Sequence, residues 1–171
     1  MAWNDRVLRL LGDVSGRVDG TRGGVIFTAS RLATAIASNA NTDSTFTTGA
    51  KPAILYERNV DRSGSGVSAQ IFEAPTTSGG TPAVAYSTNR NMAVASTVTL
   101  LTGVTTTATG TQVTATSFAI GNASNQGQGG QAVLGEMVYL KPNTTYLLRL
   151  TNLDAAAANI SSFIAWAEGN L

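Results

Sequence analysis

The pattern of hydrophobic and polar positions along the chain changes near residue 50. Beyond it, short runs rich in Val, Ile, Thr, Tyr and Phe are separated by clusters of Gly, Pro and Asn, as is typical of β-strands joined by turns. One earlier run has the same character. Together these runs predict eight strands, at residues 24–29, 53–60, 67–74, 97–101, 112–120, 133–140, 146–152 and 159–167.

No helical pattern lies between these runs, so the sequence favours an all-β fold over any parallel α/β fold. We predict a single β-sandwich, jelly-roll-like, with about eight strands. An immunoglobulin-like sandwich and a barrel remain open, because short strands at regular spacing are common to all three.

Two of the runs indicate how their side chains are oriented. The run that begins at Tyr146 alternates, so Tyr146, Leu148 and Leu150 are expected to face the core while Arg149 and Thr151 face outward. The last run has large apolar residues at neighbouring positions, which predicts a strand buried on both faces in the middle of a sheet, with Phe163, Ile164 and Trp166 inside.

Three turn-rich segments connect the runs. Residues 61–66 and 107–111 each lie between two predicted strands and are interpreted as hairpin loops. The first hairpin would place Glu57 and Glu73 on adjacent strands. Residues 39–45, rich in Asn, Thr and Ser, are interpreted as a connector.

The first part of the chain is predicted to be an N-terminal arm and connector at residues 1–50, followed by the sandwich domain at residues 51–171. Trp3, Val7, Leu10 and Leu11 would line one face of a short helix that ends at Gly12. The same stretch also alternates as an extended strand. The arm packs either on its own domain or on a neighbouring subunit.

Composition narrows the possible functions. The 171 residues carry 11 basic and 10 acidic groups, and charged residues make up only 12% of the chain, so Thr, Ser, Asn and Gly must cover the surface. His and Cys are both absent, which removes the usual general base, the usual zinc ligands and thiol nucleophiles. We therefore predict no enzymatic activity, no catalytic residue and no metal.

Partners are restricted in the same way. The balance of acidic and basic groups argues against nucleic acid as a partner. No apolar run approaches the roughly 20 residues that span a membrane. The N-terminus lacks the pattern of a signal peptide, so we expect a protein made and retained in a cytoplasm, without a membrane or small-molecule partner.

Nine of the 11 basic residues are Arg, a residue that is enriched at protein interfaces where Lys is depleted. The Gly-rich segment at residues 121–131 leads into a strand instead of a helix, so it is interpreted as an exposed loop and not as a phosphate-binding loop. From the arm, these arginines and this loop we predict the following subunit contacts: Trp3, Arg6, Val7, Arg9, Leu10, Leu11, Arg58, Arg62, Arg90, Asn125, Gln126 and Gln128.

Two stretches resemble a family of small virion proteins. The first is Ile-Phe-Glu-Ala-Pro at residues 71–75 followed by Gly-Gly-Thr-Pro-Ala-Val-Ala-Tyr-Ser-Thr-Asn-Arg-Asn at 79–91. The second is Leu-Lys-Pro-Asn-Thr-Thr-Tyr-Leu-Leu-Arg-Leu-Thr-Asn at 140–152, closing on the strand at 163–168. Over residues 51–168 the chain is similar to the capsid decoration, or cement, proteins of short-tailed bacteriophages.

This resemblance implies a non-catalytic protein without a cofactor. It implies a dimer or trimer that binds the outside of the capsid shell and stabilises contacts between subunits of the major capsid protein. Such a protein would be made in the cytoplasm of the bacterial host and would end on the capsid surface of the virion.

Two other functions remain open at the level of sequence. A head-fibre or tail-fibre module that binds host surface glycan would carry exposed aromatic residues on its loops. A glycan-cleaving enzyme would need two carboxylates at a set separation, for which Glu57 and Glu73 are the candidates.

Overall fold

The protein is described by a computed structural model that covers residues 25–91, 94–120 and 137–169. These residues form β-strands and no helix. The strands are β1 (Ile26–Ile36), β2 (Asn41–Thr47), β3 (Ala53–Arg62), β4 (Gly66–Glu73), β5 (Thr76–Ser78), β6 (Thr81–Pro82), β7 (Tyr86–Ser87), β8 (Thr99–Thr102), β9 (Thr105–Ala108), β10 (Thr111–Gln112), β11 (Ser117–Ile120), β12 (Val138–Leu140), β13 (Thr145–Asn152) and β14 (Ala158–Glu168).

The strands form two large antiparallel sheets and one small one. The first sheet has the order β12-β3-β14-β1-β7. The second has the order β10-β4-β13-β2-β8-β6, and β11 also pairs with β4. Across the gap β3 lies against β4, β14 against β13 and β1 against β2, so the two sheets pack as a sandwich. A separate two-stranded sheet joins β5 and β9.

Eight of the strands have the connectivity of a jelly roll. The order β1-β14-β3-β12 in one sheet faces β2-β13-β4-β11 in the other, so the first strand pairs with the last. Successive strands of this set alternate between the sheets, except β4 and β11, which pair with each other. The predicted all-β, jelly-roll-like sandwich is confirmed. The remaining six strands, β5 to β10, all lie between β4 and β11 in the sequence. Of these, β7 extends the first sheet beyond β1, β8 and β6 extend the second beyond β2, β10 pairs with β4, and β5 and β9 form the small separate sheet.

The prediction of a connector at residues 39–45 is wrong, because Asn41–Thr47 is strand β2, an inner strand of its sheet. Residues 25–50 thus contribute one inner strand to each sheet. The sequence was misleading because β2 is buried although it is polar: Thr42, Asp43, Ser44 and Thr45 are all at most 8% exposed. A donor inside the sandwich, Arg31 of β1, satisfies several of their oxygens.

Both predicted hairpins are also wrong. The segment after β3 crosses from one sheet to the other, where β4 pairs with β13 instead of β3. Likewise β9 pairs with β5, whereas β10 pairs with β4. A short loop can bridge the roughly 10 Å between packed sheets as easily as it can reverse a strand, and the sequence of the loop does not distinguish the two.

The largest apolar cluster surrounds Trp166, which is fully buried on β14. Its ring stacks on Phe27 at a centroid distance of 5.8 Å and meets the edge of Phe46 at 5.3 Å. The predicted orientation of the β13 side chains is confirmed, since Tyr146, Leu148 and Leu150 are buried. The inner position of the last strand is confirmed too, although Phe163 is only half-buried.

Candidate functional site: a buried arginine layer and aromatic edges

Two arginines lie between the sheets. Arg31 on β1 is opposite Ser162 of β14, and Arg58 on β3 is opposite Ile164 of the same strand. This polar layer separates the cluster around Trp166 from a second apolar cluster formed by Val60, Val67, Ala69, Ala119, Leu150 and Ile160. The interior of the sandwich is therefore apolar at both ends and cationic between them.

Arg58 crosses the gap between the sheets. Its side chain donates to the main-chain oxygen of Gln70 at 3.2 Å and to that of Arg149 at 3.1 Å, two residues that face each other on β4 and β13. Only 2% of the residue is exposed. Burial, followed by the charge of Arg31, lowers the pKa of Arg58 to about 10, so the group is still a cation at neutral pH.

Arg31 spans the gap in the same way and binds β2. It donates to the main-chain oxygens of Thr42 and Asp43, each at 2.9 Å, and to the hydroxyl groups of Thr42 and Ser44. These bonds satisfy the polar side chains that made β2 resemble a connector. The Nε of Arg31 is buried without a hydrogen-bond partner among the described residues.

The carboxylate that interacts with Arg31, that of Asp43, is hydrogen-bonded to other residues. Asp43 accepts hydrogen bonds from Arg149, at 2.9 Å from Nε and 2.6 Å from Nη2, and from Thr106 at 2.6 Å. The hydrogen bond with Asp43 holds the pKa of Arg149 above its ordinary value. In the described part of the chain, no carboxylate lies within 4.0 Å of the guanidinium of Arg31 or Arg58. Counting the described residues alone, the layer carries excess positive charge.

A second buried charge, the carboxylate of Glu168, accepts hydrogen bonds at both of its oxygens. Its carboxylate accepts hydrogen bonds from the Ser96 hydroxyl, from the Thr97 amide at 2.8 Å and hydroxyl at 2.6 Å, and from the Trp166 indole at 3.0 Å. Burial acts to raise the pKa of Glu168, but these bonds outweigh it and hold the pKa below the ordinary value. The contacts fasten the segment before β8 to the end of β14.

Exposed aromatic side chains of the described residues all lie on edge strands. Tyr86 on β7, Phe118 on β11 and Tyr139 on β12 are 57%, 58% and 71% exposed, and each of these strands pairs on one side only. β11 and β12 extend from β4 and β3, which face each other, so Phe118 and Tyr139 share one side of the sandwich. We refer to this as the β11–β12 side.

The predicted subunit contacts have different outcomes. Arg90 is exposed and stays a prediction. Arg58 and Arg62 are 2% and 6% exposed, so the prediction that they are subunit contacts is wrong. Alternation along β3 places both on its inner face, which sets their burial. The other predicted contacts lie outside the described residues: Trp3, Arg6, Val7, Arg9, Leu10, Leu11, Asn125, Gln126 and Gln128.

The predicted pair of carboxylates is not brought together. Glu57 lies on β3 and Glu73 on β4, in different sheets. Glu73 is instead bound by Lys141 at 2.7 Å and by the Tyr146 hydroxyl at 3.3 Å, and the hydrogen bond from Lys141 lowers its pKa.

Residues 25–91, 94–120 and 137–169 contain no cluster of three His, Cys, Asp or Glu residues that could hold a metal ion. They also contain no helix long and apolar enough to cross a membrane.

The chain was compared with known proteins. No protein-family model matches the sequence, and no curated protein matches it. Among solved structures, a chain from the structure of infectious bursal disease virus Gt strain aligns with 82% of this chain at 12% identity. The aligned part spans 40% of the viral chain, with a TM-score of 0.15, which is too low to carry an argument about fold or function.

Proposed function

We propose that this protein is a structural component of a bacteriophage virion. It binds the outside of the capsid shell as a homo-oligomer and stabilises contacts between major capsid protein subunits. The sequence resemblance over residues 51–168 is the reason for naming the capsid. The position of the exposed aromatic residues is the structural observation that carries the proposal.

Edge strands and aromatic side chains together favour lateral packing. An edge strand presents unpaired main-chain N–H and C=O groups, which protein chains normally protect or use for association. Aromatic residues are enriched in protein interfaces and scarce on free surfaces. On the β11–β12 side, Phe118 and Tyr139 combine both features, and Met137, 42% exposed, adds further apolar surface before β12.

The low charge of the surface supports the same function. Charged residues make up 12% of the chain, and much of the exposed strand surface is Thr, Ser and Ala. A closed shell repeats each contact many times, so contacts of modest strength are sufficient for stable attachment.

The alternative function, a glycan-binding fibre module, would require exposed aromatic residues on loops. The exposed aromatic side chains of the described residues lie on strands instead.

The test is binding of the purified protein to capsids of its phage that lack it. The wild-type protein is expected to bind at saturable sites and to raise the temperature at which the capsids disrupt. The double variant Phe118→Ser and Tyr139→Ser is expected to bind at least about tenfold more weakly. Leu32→Ser, which changes an apolar residue that is 66% exposed on β1, away from the β11–β12 side, is the matched control and should bind normally.

If the wild-type protein fails to bind, and the deficient capsids resist heat as well as complete ones, the proposal is wrong. Saturable binding of the isolated protein to bacterial cells instead would favour the fibre module.

A further inference from the structure

A cavity lies between the two sheets beside the arginine layer. It has a volume of about 30 Å³ and is bounded by β1, β2, β3, β8, β13 and β14, with Arg31 and Arg58 among its lining residues. The hydroxyl-bearing residues Ser44 and Ser162 line it together with apolar Ala83 and Leu100. Two cationic groups thus meet apolar walls in one small space.

The positive charge of Arg31 and Arg58 would favour an anion in this cavity. Arg58 reaches only main-chain oxygens in its described bonds. The charge of Asp43 favours the charged form of Arg31, but the carboxylate oxygens of Asp43 accept hydrogen bonds from Arg149 and Thr106. Arg31 retains one buried N–H group without an acceptor among the described residues. Cations that are removed from water without an opposite charge are costly, and a bound anion would offset that cost.

The size and lining of the cavity restrict the anion. About 30 Å³ accommodates about two to three water molecules, so the space suits an anion of about three non-hydrogen atoms. Arginine forms strong, often bidentate hydrogen bonds with carboxylates and with phosphates. Sulfate and phosphate are larger, and their second charge would face Ala83, Leu100 and other apolar groups.

We propose that this cavity is a binding site for a small carboxylate anion of the size of formate or acetate. The carboxylate oxygens accept N–H groups from Arg31 and Arg58, and the hydrogen or methyl group of the anion lies against Ala83 and Leu100. This site is independent of the proposed role in the virion.

The test is titration of the full-length protein with ¹³C-labelled formate, monitored by NMR at constant pH and ionic strength. Saturable binding at one site is expected for the wild-type protein, and sulfate should not displace it. Arg58→Met should weaken binding by at least about tenfold. Arg90→Met is the matched control, because Arg90 is exposed and does not line the cavity, and its affinity should equal that of the wild-type protein.

A second variant keeps the test decisive if Arg58→Met does not fold. Ala83→Leu fills the cavity from the segment before β7 and leaves both arginines in place, so it should fold and lose formate binding. The proposal is overturned if the wild-type protein shows no saturable binding. It is equally overturned if a folded Arg58→Met or Ala83→Leu variant binds formate as well as the wild-type protein.

Discussion

Glu168 and the arginine layer are two regions in which charge lies inside the same sandwich under opposite conditions. Glu168 and Arg58 are buried, and Arg31 is half-buried. Glu168 receives four hydrogen bonds from Ser96, Thr97 and Trp166, so its charge is fully solvated by the protein. Arg31 and Arg58 bind oxygens of the facing sheet but have no carboxylate of their own among the described residues.

The difference separates two uses of a buried charge. A charge whose hydrogen bonds are complete fixes local structure, as Glu168 does for the segment before β8. A charge without a counterion is costly to the fold and leaves capacity to bind something else. Three substitutions sharpen this contrast through the free energy of unfolding, in order from the largest expected loss to the smallest.

Trp166→Ala should have the largest effect. The side chain is fully buried between Phe27 and Phe46, and its indole is one of the donors to Glu168. The cavity left behind should lower the free energy of unfolding by about 3–5 kcal/mol, measured by denaturant titration. Leu32→Ala on exposed surface is the control and should change it by less than about 0.5 kcal/mol. A small loss for Trp166→Ala would mean that this region does not dominate stability.

Asp43→Asn should have the next largest effect. It removes the carboxylate that binds Arg149 and whose charge favours the charged form of Arg31, and so leaves the arginine layer with more uncompensated charge. We expect a loss of about 3 kcal/mol by denaturant titration. Asp61→Asn makes the same change at an exposed position of β3 and should be nearly neutral. Equal losses for the two variants would contradict the importance of Asp43 in the layer.

Glu168→Gln should cost about 2 kcal/mol at neutral pH, because a carboxamide cannot accept all the donors that face the carboxylate. The folded-state pKa of Glu168 lies below its unfolded value of 4.5, so the stabilisation is present above that pH and is lost as the pH falls through the folded pKa. Melting temperatures of the wild type and the variant, measured from pH 7 to pH 3, should therefore converge in acid. A difference that stays constant over this range would contradict the lowered pKa.

The sequence was sufficient for the fold class but not for the arginine layer. The apolar residues in the runs that correspond to β3, β4, β13 and β14 are buried in the fold, and such residues indicate burial in the sequence. The positions of these strands and the central place of the last one could therefore be predicted. β2 is buried through hydrogen bonds instead of apolar side chains, and its partner Arg31 lies on a different strand. A pattern read along one strand contains no information about such a partner across the gap.

One signal for the arginine layer was present in the sequence. Arg58 is two residues from the buried Val60, and Arg31 is two residues from the buried Ala29. Because side chains two apart on a strand lie on the same face, each arginine shares the face that points toward the core. Arginine is usually a surface residue, and this general tendency favours Arg58 and Arg62 as subunit contacts although the alternation places them inside. The edge aromatics could be identified only once the order of strands in each sheet was known.

The proposed role in the virion is tested most directly by cryo-electron microscopy of complete phage particles and of particles lacking this protein. We predict that the density present only in complete particles is a jelly-roll sandwich on the outer capsid surface, with its β11–β12 side against a neighbouring subunit. Identical capsid surfaces in the two particles, or extra density confined to the tail or a fibre, would contradict this role.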